Sequence, residues 1–144
     1  MAGGILSNIF RLKLRDVTNT NVVFWGRRLL ALFESSTPHL IEADSLRTIG
    51  ESTVNGLLKS KQPFSAHPRI DANTNRLISF SSIQGSKSAQ MTVFEFDTTF
   101  KLVSSRPFEV PGFVFFHDFL VTKNYYIFTK VPTDFSPLPF LLGD

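Results

Sequence analysis

The sequence predicts an all-β chain built from repeated units, and three observations predict it. Helical periodicity is scarce along the 144 residues. Short apolar or alternating runs recur, bounded by Gly, Pro, Asn and Asp. Three segments, Arg28-Leu-Leu-Ala-Leu-Phe33, Arg76-Leu-Ile-Ser-Phe-Ser81 and Asn124-Tyr-Tyr-Ile-Phe-Thr129, begin 48 residues apart both times. A period in the forties with roughly four short strands per unit is the sequence form of β-propeller blades. A β-sandwich whose strands happen to fall evenly is the other reading of the same period.

Taken in order, the first strand is Asn21–Trp25, followed by a hairpin turn at Gly26-Arg27 and a second strand over Arg28–Glu34. Ser36–His39 reads as a turn, which makes His39 a turn or surface residue. Gly50–Leu58 is the one stretch with helical spacing, and it is too short and glycine-rich to hold a helix. A turn at Thr74-Asn75 leads into strands over Arg76–Ser82, Met91–Asp97, Lys101–Phe108 and Val114–Thr122. Lys123-Asn124 then turns into Asn124–Lys130. Three periods fill the chain, whereas a closed propeller takes roughly four to eight blades. The expectation is one partial propeller domain over residues 1–144, with no second domain and a ring that does not close within this chain. Its open sheet edges and apolar blade faces then need further protein to cover them.

Composition excludes several functions. Fifteen Lys and Arg against twelve Asp and Glu leave a net charge of +3. With no basic block to track a phosphate backbone, nucleic acid is not an expected partner. Cysteine is absent, which removes disulfides, thiolate zinc sites and thiol nucleophiles. No apolar run approaches the roughly 18 residues of a membrane span. Met1–Phe10 lacks a charged n-region and transit-peptide bias, so no leader is read there. Sixteen Phe against one Trp and two Tyr suit either a dense β core or an apolar ligand site.

Two of the three histidines occupy equivalent places in the repeat. The polar motifs Asn19-Thr20-Asn21, Ala66-His67-Pro68 and Phe116-His117-Asp118 each precede a repeated segment. Innermost propeller strands start near the central axis, so His67 and His117 would converge on one point there. Imidazoles converging in this way suit iron, zinc or copper; the plain alternative is a pair of structural hydrogen-bonding histidines. Glu34 ends an apolar strand, where an acid is costly unless paired. It is the candidate partner for a histidine's second ring nitrogen, or else an exposed strand-end acid. Strand alternation puts Asp118 on the side opposite His117, as a hydrogen-bonding residue rather than a ligand.

Taken together, the motifs resemble a known family. Asn19-Thr-Asn-Val22, Leu29-Leu-Ala-Leu-Phe-Glu34, Pro38-His39 and Leu46-Arg-Thr-Ile-Gly-Glu51 are similar to the N-terminal part of carotenoid cleavage oxygenases. Ala66-His-Pro-Arg-Ile-Asp71 and Phe116-His-Asp-Phe-Leu-Val-Thr122 resemble the family's first two iron-ligand motifs, in order. Asn124–Phe128 and Pro137–Gly143 resemble the stretch beyond the second ligand in plastid and cyanobacterial members. The resemblance implies a seven-bladed propeller, of which this chain is two to three blades. It also implies a non-haem Fe(2+) held by four histidines, and cleavage of a conjugated C=C bond of a carotenoid or apocarotenoid by O2. By the same resemblance His67 and His117 are metal ligands, and Glu34 hydrogen-bonds a ligand histidine, His117.

The family's third and fourth ligands lie downstream of these residues, and the amino end starts inside the family's domain. The chain alone is therefore expected to be an inactive fragment of a dioxygenase; the alternative is a short non-catalytic carotenoid-binding or interaction module. The resemblance further implies a plastid location if the source is a plant or alga, and a cytoplasmic one otherwise. It also implies peripheral membrane contact; Leu138–Leu142 is a candidate for this, or simply an interrupted strand. Phe113–Phe116 and Phe119 flank the second ligand, as tunnel lining or as blade-packing core.

Overall fold

A computed structural model describes residues 17–59 and 62–132. Met1–Phe10 and Leu138–Leu142 lie outside the described residues. Among the described residues, ten strands form three antiparallel sheets: β1 (Asn21–Trp25), β2 (Arg28–Leu32), β3 (His39–Ile41) and β4 (Thr48–Glu51) make the first, in that order. The second contains β5 (Arg69–Asp71), β6 (Arg76–Gln84), β7 (Ser88–Phe96) and β8 (Leu102–Pro111). β9 (Leu120–Val121) and β10 (Tyr126–Ile127) pair as the third. These are two four-stranded blades and an inner hairpin, a partial propeller. β2 and β6 begin at Arg28 and Arg76, the first two starts of the sequence period. β10 begins two residues beyond the third, at Tyr126.

Strand alternation explains how the blades stack. Successive side chains on a strand point to opposite faces, and the second blade buries both of its faces. Leu77, Phe94 and Phe96, with Phe100 from the β7–β8 turn, face the first blade, where they join Leu30 and Leu32. Ile78, Phe80, Ala89, Met91 and Val93 face the other way, onto Val114, Phe116 and Phe119. Seven of the thirteen described phenylalanines are buried in these two clusters, and each removes enough apolar area to contribute about 2–3 kcal/mol.

The β1–β2 turn shows why particular residues are required. Gly26 and Arg27 both take left-handed backbone, with φ of 55° and 60°, the geometry of a two-residue hairpin turn. A Cβ on Gly26 would sit 2.5 Å from Phe100 Cβ. Phe100 is itself left-handed, at φ 64°. It reaches that conformation in the β7–β8 turn, where the Asp97 carboxylate accepts hydrogen bonds from the backbone N–H groups of Thr99 and Lys101. There Phe100 stacks on Phe96, with centroids 4.9 Å apart and planes 9° apart. Trp25 Nε1 donates to the Asp97 carbonyl at 2.7 Å, tying the first blade to the same turn.

Three details differ from the sequence expectation. His39 opens β3, pairing with Ala31 and Glu51, rather than ending a turn. Such a short, half-buried strand has no alternation to read; its partner β2 creates it. β4 and β5 were likewise not legible. Val114–Thr122 is strand only at Leu120–Val121; Val114, Phe116 and Phe119 are buried by packing, not by a sheet ladder. Apolar residues in a buried loop and in a strand look alike in sequence. Residues 54–57 form turns rather than helix. Among the described residues, no helix is long and apolar enough to cross a membrane.

Candidate metal centre

His67 sits at the end of the connection that carries the chain from the first blade into β5. That connection is anchored residue by residue. Ser65 N–H donates to the Phe80 carbonyl at 2.7 Å, Asn21 Nδ2 donates to the Ala66 carbonyl at 2.8 Å, and His67 N–H donates to Ser65 Oγ at 3.1 Å. Phe64 and Ala66 are buried, so the backbone entering His67 is held by both neighbouring blades. His117 leads into β9 in the same way, between the buried Phe116 and Phe119.

Glu34, just past β2, completes the group. Its side chain is 9% exposed, and its Oε1 accepts from His117 Nδ1 at 2.7 Å across 83 residues of sequence. The structure thus brings together Glu34, His67 and His117 from three consecutive blades. Donation from Nδ1 to a carboxylate fixes the tautomer and leaves the His117 Nε2 lone pair available. That nitrogen lies 3.1 Å from His67 Nε2. Two imidazole nitrogens bound at right angles to a metal, each at about 2.1 Å, lie about 3.0 Å apart. The separation and the tautomer both fit adjacent ligands of one ion. Among the described residues, no group of three or more His, Asp or Glu side chains is placed to hold a metal. His39 is on β3, two strands away from β1.

Two neighbouring residues were not singled out in the sequence. Thr20 Oγ1 lies 3.5 Å from Glu34 Oε2; its place in the first of the three aligned polar motifs was the available signal. Arg69 binds Asp118 and the Phe119 carbonyl; it lies within the Ala66–Asp71 motif, which gives no sign of these partners. Beside His117 opens a largely apolar cleft of about 720 Å³, lined in part by Phe113, Phe115, Phe119, Leu120 and Ile127. Phe113 and Phe115 therefore face the cleft, whereas Phe116 belongs to the core.

Residues 1–141 match the retinal pigment epithelial membrane protein family. The chain belongs to that family. It is 42% identical to the apocarotenoid-15,15'-oxygenase of Synechocystis over 99% of this chain and 30% of that enzyme. It is 32% identical to carotenoid cleavage oxygenase 1 of Neurospora crassa over 88% of this chain and 24% of that protein. It is 33% identical to lignostilbene-alpha,beta-dioxygenase isozyme III of Sphingomonas paucimobilis, over 83% and 24% respectively. The solved structure of the cobalt-substituted Synechocystis oxygenase superposes with a TM-score of 0.90 at 41% identity, covering 99% of this chain and 31% of that one. The chain thus spans about a third or less of the length of the relatives it matches. Its two complete blades and inner hairpin are part of the propeller of this carotenoid oxygenase family.

Proposed function

We propose that these residues form part of a carotenoid or apocarotenoid cleavage dioxygenase, in which His67 and His117 are two ligands of a non-haem Fe(2+). The observation that supports it is the 3.1 Å approach of the two Nε2 atoms, with His117 Nδ1 committed to Glu34. When bound, the ferrous ion supplies O2 activation beside a conjugated alkene, giving two carbonyl products. The protein's own work is to orient and to exclude water. Glu34 holds the proton on His117 Nδ1, so that the ligating nitrogen stays bare. Phe113, Phe115 and Ile127 offer an apolar wall beside His117 for a polyene. A four-imidazole site needs donors from outside these 144 residues, because His39 is the one histidine left. The isolated chain would therefore hold iron weakly and lack turnover.

An apocarotenoid is favoured over a stilbene by the higher identity to the Synechocystis enzyme. A plastid location for a plant or algal source, a cytoplasmic one otherwise, and peripheral contact with the pigment-bearing membrane belong to the same proposal. The test uses the intact protein isolated from its source, with its mass compared with the 16.2 kDa of these residues. Loaded with Fe(2+) and given an apocarotenal and air, it should bleach the substrate and yield two carbonyl fragments by mass spectrometry. Iron-loaded protein that binds the pigment and leaves it intact, or that turns over only stilbenes, would overturn the reading.

A further inference from the structure

The two histidine-bearing segments belong to different blades, and β5 and β9 share no ladder hydrogen bonds. One cationic side chain spans the gap. Arg69, the first residue of β5 and two residues past His67, donates from Nε to the Phe119 carbonyl at 3.1 Å. Its Nη2 pairs with Asp118 Oδ2. The other Asp118 oxygen accepts from Phe119 N–H at 2.7 Å. A single planar guanidinium thus grips both a carboxylate and a backbone carbonyl in the two residues after His117, a fork geometry that fixes orientation as well as distance.

The geometry points to Arg69 as the positioning residue that holds His117 at ligating distance from His67. It ties the chain just after one imidazole to the strand that follows the other, so the Nε2–Nε2 separation is set before any ion arrives. This rests on the reading of both histidines as ligands. Both members of the ion pair are partly solvent-exposed, at 40% and 44%. Such pairs add little to global stability, so variants at either position should fold.

The test uses the intact protein, with Arg69→Met, Arg69→Lys, Asp118→Asn and the double variant Arg69→Met/Asp118→Asn. Crystal structures without metal report the Nε2–Nε2 separation, and titration with Co2+ followed by visible absorption reports affinity. Arg69→Met should open the separation beyond hydrogen-bonding range and weaken cobalt binding about tenfold or more, the usual cost of losing a residue that orients a ligand. Arg69→Lys should fall between, since an ammonium can keep Asp118 but not the planar two-point grip. The double variant should bind no more weakly than Arg69→Met alone, because both changes break one unit. An Arg69→Met protein that keeps both the separation and the affinity overturns the inference alone. A wild-type protein that takes up no cobalt overturns the ligand reading, and this inference with it.

Discussion

Replacing Glu34 by Gln removes a charge while keeping the shape, and its effect can be worked out from the His117 contact. The bond to Nδ1 is 2.7 Å long and its acceptor is 9% exposed, so little water is at hand to substitute. A hydrogen bond to an ionised acceptor contributes about 1.5–3 kcal/mol, against about 1 kcal/mol for a neutral pair. The change therefore costs about 1 kcal/mol of orientation at His117. The Gln amide can also donate to Nδ1, a pairing that moves the imidazole proton onto Nε2 and blocks the nitrogen that would face the metal in the proposed site. If His117 ligates a metal as proposed, these together place the loss of affinity between about tenfold and a hundredfold, or roughly 1.4–2.7 kcal/mol. The assay is Co2+ titration of the intact protein, wild type against Glu34→Gln, with urea unfolding run in parallel. Unfolding stability should drop by no more than about 1.5 kcal/mol, because His117 is itself half-exposed. A folded Glu34→Gln protein that binds cobalt within twofold of wild type would refute the claim that this carboxylate prepares His117.

Three other outcomes are expected from the packing. Gly26→Ala should destabilise by about 2–4 kcal/mol in urea unfolding, because left-handed strain adds to the clash with the buried Phe100; a neutral result would mean that this turn repacks freely. Phe96→Ala, which loses contact with Phe64, Phe94 and Phe100, should cost about 3–5 kcal/mol in the same measurement. Tyr126 should keep its proton to high pH. Burial, followed by the 2.6 Å hydrogen bond to Glu95 and that residue's charge, pushes its phenol up to about 12. A folded pKa above the unfolded value favours the protonated fold, so this contribution is fully present below pH 10 and fades as pH rises towards 12. Difference absorbance of Tyr126→Phe against wild type isolates this phenol, and a midpoint near 10 in the folded protein would contradict it.

The strands that were legible in the sequence are those long enough to carry a pattern of their own. β2, β6 and β7 bury residues on one or both faces, and β1 alternates half-buried with exposed residues, so their apolar spacing shows without reference to neighbours; β8 is almost wholly exposed but ten residues long. β3, β4 and β5 are only three or four residues long and lie partly exposed. Pairing with an adjacent strand, not local preference, makes them strands. In the Val114–Thr122 run the same apolar residues serve a loop, because packing against Phe80 and Met91 buries them without a ladder.

The candidate centre divides in the same way. The place of His67 and His117 in a 48-residue repeat was a one-dimensional fact, and it was enough to bring them to one end of neighbouring blades. Glu34 stood out because an acid at the end of an apolar strand demands a partner. Which nitrogen it meets, and the 3.1 Å between the two Nε2 atoms, depend on how three blades stack. Arg69 lies within the Ala66–Asp71 motif, yet nothing along the chain names its partners, because they lie about fifty residues away on another blade. Periodic chemistry along the chain determined which side chains share an axis; only the packing of blade on blade decided how closely they meet, because that distance is set by contacts between residues far apart in sequence.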